Sequence, residues 1–228
     1  MSSAETLSLR IIARARCDYT DKFAVPRQPG LVPEVRTRIV FEPAFRNPDA
    51  LRGIEGFSHL WLVWVFDRAI REDWSPTVRP PRLGGNRRVG VFATRSPFRP
   101  NPVGLSCVKL EAVEDGALTV SGADLADGTP ILDIKPYLPY ADCVPGATGG
   151  FTDDLPERRL AVEFPPALLA RVPEESRAGL LAVLSRDPRP AYQNDPDRVY
   201  GFLFARRNVR FTVSNGTLTV TDVEEGSP

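Results

Sequence analysis

One histidine, His59, stands in a chain of 228 residues. Neither a multi-histidine metal centre nor two-histidine acid–base chemistry can be built from it, and no metal is expected. Cysteine is equally sparse: Cys17, Cys107 and Cys143 are far apart and odd in number. That excludes a full disulfide framework and offers no CxxC metal spacing, so reduced and mostly buried thiols are expected. No apolar run approaches the ~20 residues that would span a bilayer. The opening MSSAETLSLR lacks the basic start and apolar core of a secretion signal, which makes the cytoplasm the expected compartment. There is no G-x-S-x-G elbow and the single histidine stands in a strand that reads as buried, which makes a Ser or Cys hydrolase a remote reading. The Gly-rich cofactor loop of the doubly wound fold is missing too; Leu83-Gly84-Gly85-Asn86 has the wrong spacing and reads as a turn.

Acidic residues are also absent from one long stretch. Between Trp74 and Leu110 there is no Asp or Glu, while Arg79, Arg82, Arg87, Arg88, Arg95, Arg99 and Lys109 give the segment +7. The formal net charge of the chain is zero, so the remainder carries −7. A basic face on a neutral protein fits contact with phosphates; the plainer alternative is arginines solvated or paired with acids from elsewhere. At 42% hydrophobic and 25% charged residues the chain can bury a core, as one large domain or a main domain with a small appendage.

Short strands between turns dominate the first 140 residues. Leu7, Leu9, Ile11 and Ala13 alternate with Ser8, Arg10, Ile12 and Arg14 at an approximate period of two, and Thr37, Ile39 and Phe41 alternate with Arg36, Arg38 and Val40. Phe57 to Phe66 (FSHLWLVWVF) is almost wholly apolar and reads as a strand buried on both faces. Further strands are predicted at Arg88–Ala93, Ser106–Val113 and Ala117–Gly122, the last two joined by the turn Glu114-Asp115-Gly116. No helices alternate with them, so the fold class expected is mainly β: a small closed antiparallel β-barrel rather than a βαβ sheet. Residues 141–158, rich in Gly, Pro and Asp, read as a linker. Beyond them Pro165–Val172 and Glu174–Ser185 have helical spacing, followed by strands at Val199–Phe204, Val209–Val213 and Thr217–Thr221. The division expected is a barrel over residues 1–145 and a small C-terminal α+β extension over 146–228.

Three loops carry chemistry. Phe92-Ala93-Thr94-Arg95-Ser96-Pro97-Phe98-Arg99-Pro100-Asn101-Pro102 is stiffened by three prolines and presents two arginines, Ser96 and Asn101, a combination suited to ligand binding. Phe23-Ala24-Val25-Pro26-Arg27-Gln28-Pro29-Gly30 is a second proline-stiffened loop, with a planar cation and an amide. In the third, Asp127-Gly128 makes a turn, and alternation then sets Asp133, Lys135 and Tyr137 on one strand face. A carboxylate, an amine and a phenol together are a polar cluster of use in acid–base work; an exposed strand edge is the plainer reading.

These loops, with Gly56-Phe57-Ser58-His59-Leu60-Trp61 and Asp187-Pro188-Arg189-Pro190-Ala191-Tyr192, closely resemble the TrmO (TsaA-like) family. The resemblance runs over essentially the whole chain, and ATRSPFRPNP and DGTPILDIKPY are long and unusual strings. It implies a homodimeric β-barrel enzyme that binds S-adenosyl-L-methionine and methylates N6 of threonylcarbamoyl-adenosine beside the anticodon of threonine tRNA. It further implies a cofactor site of Arg27, Gln28 and Pro29, Asp67 and Arg68, Arg95 and Leu105, and the turn of Leu125, Asp127, Gly128 and Thr129. Position 67 departs from the histidine the family leads one to expect. His59 reads as a satisfied strand histidine rather than a base.

The acceptor nitrogen is part of a urea-like group, so its proton must be removed as the methyl arrives. Asp133 and Lys135 are the candidates, with Tyr137 orienting or stacking on the base. Arg82, Arg87, Arg88 and Arg99 are expected to face the anticodon loop of the tRNA. Two rivals stay open: a non-catalytic RNA-binding barrel using its basic face alone, and a methyltransferase acting on another acceptor.

Overall fold

The structure, a computed structural model, describes residues 5–21, 23–80, 83, 87–153, 159–189 and 195–226. Six strands close into a barrel: β1 (Ala13–Arg16), β2 (Arg36–Phe41), β3 (His59–Val65), β6 (Val103–Glu114), β7 (Ala117–Ser121) and β8 (Pro130–Pro136). The order around it is β1-β2-β7-β6-β3-β8, with β8 returning to β1, and every pairing is antiparallel. Between β3 and β6 in sequence, β4 (Thr77–Val78) and β5 (Val89–Gly90) form a separate two-stranded ribbon.

Alternation fills the interior. Ala13 and Ala15 from β1, Ile39 and Phe41 from β2, Leu60, Leu62 and Trp64 from β3, Val108 from β6, Leu118 and Val120 from β7 and Ile131 from β8 are all buried. Small and large residues complement one another across the narrow lumen. Trp64 is the largest of them. It lies directly opposite Gly104, and a Cβ built on Gly104 would come within 2.3 Å of the indole. No residue but glycine leaves room for that ring. The β6–β7 hairpin turns at Gly116, whose φ of +68° suits glycine.

The C-terminal extension is a four-stranded sheet, β10-β11-β12-β9, built from β9 (Ala161–Glu163), β10 (Tyr200–Phe204), β11 (Arg207–Ser214) and β12 (Thr217–Glu225). β9 runs parallel to β12. Asn215 and Gly216, with φ of 48° and 78°, make the tight turn between β11 and β12. Short helices α1 (Pro139–Asp142) and α2 (Pro166–Leu169) precede α3 (Glu174–Ser185), which buries Leu180, Val183 and Leu184. This second core also takes Tyr19, Ala24, Val32 and Val35 from the loop between β1 and β2.

The mainly β barrel with its α+β extension is as expected, but several element boundaries differ. Residues 7–11 are not a strand: Leu7 and Leu9 are exposed, because β2 ends at Phe41 and Pro43 beyond it has no N–H to extend the pairing. β3 is buried on alternate positions only; Trp61, Val63 and Val65 face outward and are half-buried. The strand expected at 88–93 shrinks to Val89–Gly90 and passes into a 3-10 turn at Val91–Ala93. Its partner β4 is bounded by Pro76 and Pro80, which limits the ribbon. The helix expected over 165–172 is α2 alone, and the 141–158 segment contains the end of α1 and a 3-10 turn at Gly150–Thr152. Cys143 is exposed, not buried. Of the turn expected at 83–86 only Leu83 lies among the described residues.

Gly104→Ala should lower stability by about 1–3 kcal/mol or more through overpacking against Trp64. Gly90→Ala, at φ −58° with nothing within 4 Å of the new methyl, should stay within roughly 0.5 kcal/mol of the parent. Urea midpoints check this; equal midpoints for the two variants would contradict the packing argument.

Candidate functional site

Four loops meet at one end of the barrel. Gly30 in the β1–β2 loop donates its N–H to the Gly122 carbonyl at 2.8 Å. A Cβ on Gly122, whose φ is +73°, would meet the Cα of Gly30 at 3.3 Å, so the two backbones are in direct contact. Gln28 in the first loop accepts from Arg95 Nη1 at 2.6 Å. Arg68, in the 3-10 turn after β3, donates to the carbonyl of Asp127 at 2.8 Å and to that of Thr20 at 3.4 Å. Asp127 in turn accepts from the backbone N–H of Cys17 at 3.1 Å and faces Arg16 at 3.6 Å. Gly128 takes a φ of +84°, and Thr129 closes the turn onto Ala126 at 3.1 Å.

The loop carrying Arg95 is braced from within. Thr94 Oγ1 accepts from the Ser96 N–H, Ser96 Oγ from the Phe98 N–H, and Arg99 Nη1 donates back to the Thr94 carbonyl at 3.1 Å. Prolines remove donors at the remaining corners. Phe66 N–H binds the Pro102 carbonyl at 2.8 Å, fastening the loop to the end of β3. Arg95 therefore projects from a rigid base.

Beneath this surface runs a buried polar chain. Trp64 Nε1 donates to Ser106 Oγ at 2.9 Å, and Ser106 donates to Asp124 Oδ1. Burial raises the Asp124 carboxyl above the ordinary aspartate value, opposed by the Ser106 hydroxyl, its own backbone N–H and the Arg95 guanidinium. Cys17 lies close by; burial pushes its thiol up to about 12, and its Sγ donates to the Leu125 carbonyl. That thiol is inert at neutral pH.

The expected cofactor residues Arg27, Gln28, Pro29, Arg68, Arg95, Asp127, Gly128 and Thr129 thus lie on the four converging loops. Asp67 is exposed at the start of its 3-10 turn. Leu125 is fully buried, so only its backbone faces the turn, whereas Leu105 is 53% exposed on the outer barrel wall. Arg27 Nη2 donates to the Arg189 carbonyl in the C-terminal extension at 2.8 Å. Arg189 is itself gripped by both oxygens of Asp187 at 2.8 and 2.9 Å.

Asp133, Lys135 and Tyr137 do share the outer face. A bulge in β8 leaves Leu132 without a partner on β3, so that Val63 faces Asp133 and Trp61 faces Lys135. Lys135 Nζ sits 2.8 Å from Asp133 Oδ2, with both side chains half-exposed. Tyr137 packs against Trp61 at 5.9 Å and His59 at 6.2 Å between ring centroids. Burial and nearby Cys143, Cys107 and Asp142 raise its phenol. Trp61 Nε1 donates to Asp142 at 3.0 Å, drawing α1 over this face. Val63 also faces Leu105 on its other side, so Leu105 and Asp133 flank one residue, two strand spacings or about 10 Å apart. The row and the loop cluster adjoin.

Of the expected RNA contacts, Arg87 and Arg88 are exposed just before β5. Arg99 is half-buried on Thr94, and Arg82 lies outside the described residues. Among the described residues no group of three or more His, Cys, Asp or Glu could hold a metal ion, and no helix is long and apolar enough to cross a membrane. Sequence reasoning missed Ser106, Asp124 and the Asp187–Arg189 fork. The one signal for Asp124 was a carboxylate set between Ala123 and Leu125 in an otherwise apolar run.

Comparison with known proteins follows the same outline. Residues 14–143 match the family described as tRNA-methyltransferase O N-terminal domain, and residues 157–226 match the TrmO C-terminal domain. The chain is 41% identical to the tRNA (adenine(37)-N6)-methyltransferase of Escherichia coli, covering 98% of this chain and 99% of that one. It is 46% identical to the putative S-adenosylmethionine-dependent methyltransferase RcsF of Pseudomonas aeruginosa, over 86% of this chain and 88% of the relative. The crystal structure of TrmO from Pseudomonas aeruginosa superposes with a TM-score of 0.81 at 36% identity, covering 97% of this chain and 100% of that one.

Asp124 gives a pH signature with a definite sign. A carboxyl raised in the folded state ionises more readily in the unfolded chain, so its charge at neutral pH costs stability that is restored as pH falls through its folded value. Asp124→Asn removes that cost while leaving an oxygen to accept from Ser106. Its melting temperature should equal or exceed the parent's at pH 7, with the margin shrinking as pH is lowered into the carboxylate range. A deficit at pH 7 that persists unchanged in acid would contradict this.

Proposed function

The chain belongs to the tRNA-methyltransferase O family and is a tRNA (adenine-N6)-methyltransferase; we propose that its acceptor is the threonylcarbamoyl-modified adenosine 37 of threonine tRNA and its methyl donor S-adenosyl-L-methionine. The supporting observation is the meeting of four rigid loops, carrying both cations and carboxylates, beside an outward-facing acid–amine–phenol row.

The loop cluster suits this cofactor. Arg68 and Arg95 complement a carboxylate, while Asp124 and Asp127 complement an ammonium group and ribose hydroxyls. The contact of Gly30 with Gly122 and the left-handed Gly128 leave backbone accessible where side chains would intrude. Pro29 and the exposed Leu105 offer apolar surface to a purine. Leu125 can contribute its backbone only. When bound, the cofactor supplies an activated methyl group; positioning, proton removal and exclusion of water fall to the protein.

In this reading Asp133 is the general base. Its carboxylate takes the N6 proton as the nitrogen–methyl bond forms and the sulfonium–methyl bond breaks, with that electron pair passing to sulfur. Lys135, already 2.8 Å from Asp133, holds the carboxylate in place and offers a charge to the carbonyl of the urea group. Tyr137, packed on Trp61 and His59, keeps its proton and orients or stacks on the base. The exposed Arg87 and Arg88, with Arg99, follow the anticodon-loop backbone. The enzyme works as a homodimer in the cytoplasm; Val103, 37% exposed at the start of β6, offers apolar surface to the second copy.

Asp133→Asn and Lys135→Ala should each slow single-turnover transfer by about 10²–10⁴-fold while calorimetry shows cofactor binding nearly intact. Arg95→Ala should instead weaken the cofactor roughly tenfold. Unchanged single-turnover rates in both of the first two variants would remove the row from the chemistry. For the reaction as a whole, mass spectrometry of tRNA nucleosides from a deletion strain should show methylated threonylcarbamoyladenosine lost and the unmethylated form accumulating. Loss of a different methylated nucleoside would assign another acceptor, and absence of heat with S-adenosylmethionine would favour a pure binding barrel.

A further inference from the structure

The ribbon segment that leaves the barrel between β3 and β6 carries a group of exposed rings that neither core nor cofactor loops account for. Trp74 is 51% exposed and Phe92 73%. Their ring centroids lie 6.1 Å apart with the planes inclined at 36°. Both are held from behind. Val91, fully buried next to Phe92, donates its N–H to the Pro76 carbonyl at 3.0 Å, two residues beyond Trp74. A few residues on, Phe98 is covered by the Arg71 guanidinium at 3.8 Å. The rings are therefore displayed on fixed backbone rather than trailing from a loose loop.

We propose that Trp74 and Phe92 form a stacking platform for unpaired bases of the anticodon loop, a proposal that rests on tRNA being the substrate. Large apolar rings in water are costly to maintain without a partner, and the charge around these selects which partner. Glu72 and Asp73 precede Trp74, but from there to Leu110 no acid occurs, and Arg87 and Arg88 stand exposed just before β5. An interface between two copies related by a two-fold axis would face two such patches, each with exposed Arg71, Arg79, Arg87 and Arg88 against only Glu72 and Asp73 nearby in sequence, so that net positive charge meets itself. Single-stranded RNA satisfies both features at once: its bases stack on the rings and its phosphates meet the arginines. Position supports the same partner. Phe92 lies three residues before Arg95, so a base stacked on the platform has its neighbours at the mouth of the cofactor loops.

Trp74 also provides its own signal, since Trp64 is buried and Trp61 half-buried under α1. The full-length protein is titrated with a threonine tRNA anticodon stem–loop and, separately, with a blunt duplex of the same stem. The loop RNA should quench the exposed tryptophan fluorescence, and the duplex should not. Trp74→Ala and Phe92→Ala should each weaken loop binding about tenfold and raise the KM for tRNA similarly. Trp74→Phe should restore affinity without the quench. Cofactor affinity, kcat at saturating tRNA and sedimentation should stay at parent values, and the salt dependence of binding should be unaltered in these variants but shallower in Arg88→Ala. If the parent binds loop RNA and both alanine variants bind it equally well, the platform is refuted while the tRNA reading stands. Dissociation into monomers with RNA affinity unchanged would give the rings to a second copy of the chain and refute the platform too. A parent that binds no loop RNA at all would overturn the substrate reading itself.

Discussion

The contact between the Trp64 indole and the backbone of Gly104 sets the dimensions of the barrel. A ring of that size fits a six-stranded lumen only if the facing residue has no side chain, and a Cβ there would overlap three of its atoms at 2.3–2.6 Å. The indole also needs a partner for its N–H. Ser106, two residues along the same strand, supplies it and passes the hydrogen bond on to Asp124. Packing and polar satisfaction are thus one arrangement: the residue that fills the barrel also carries a hydrogen-bonded line from its centre to the turn that bears the proposed cofactor contacts.

That line gives a reason for keeping a carboxylate where burial opposes its charge. An ionised Asp124 is costly, and the Ser106 hydroxyl and the Arg95 guanidinium recover part of that cost. Strained electrostatics of this kind concentrate at functional sites, and here Arg95 reaches onward to Gln28. The second anchor comes from the C-terminal extension. Asp18 accepts from Ser176 at 2.7 Å and from the Ala205 N–H at 3.0 Å. Val35 sits so close to α3 that a side chain at Gly179 would meet it at 2.6 Å, and Arg27 is tied to Arg189. The loop with Arg27, Gln28 and Pro29 is therefore held between two cores. The extension acts on the site without contributing a side chain to the acid–amine–phenol row.

What the sequence made legible follows the range of the forces involved. Alternation is local, so Thr37, Ile39 and Phe41 marked a strand, and helical spacing marked Glu174–Ser185. Proline density marked the rigid Thr94–Pro102 loop. The near-continuous apolar run over 57–66 misled in one respect, because it records two different surroundings: a lumen on one side and, on the other, a half-buried face covered by α1 and Tyr137. The period-two pattern at 7–13 misled for another reason. Alternation specifies a strand only where neighbours remain to pair with it, and Pro43 ends the neighbour. The Ser106–Asp124 bond and the Arg27–Arg189 tie join positions remote in sequence, and no local pattern encodes them.

Position 67 shows how geometry resolves a departure that sequence alone leaves open. Where the family resemblance leads one to expect histidine, the chain has Asp67, exposed at the start of a 3-10 turn. The contacts that fasten this turn to the rest of the cluster come from its neighbour: Arg68 donates to the carbonyls of Thr20 and Asp127. Carbonyl acceptors are indifferent to side-chain identity, so the fastening survives changes at Thr20, Asp127 and position 67 alike, provided the arginine remains. The turn's backbone is consequently placed by Arg68 and by the Ala69 N–H to Phe66 carbonyl bond at 2.9 Å. Histidine and aspartate at position 67 share one trait, a polar side chain tolerated at an exposed turn start. What the exchange changes is local charge: beside a site rich in guanidinium groups, a carboxylate lowers the potential that an incoming anion meets. Under the proposed cofactor reading, Arg95 and Arg68 are the cations that would meet that anion.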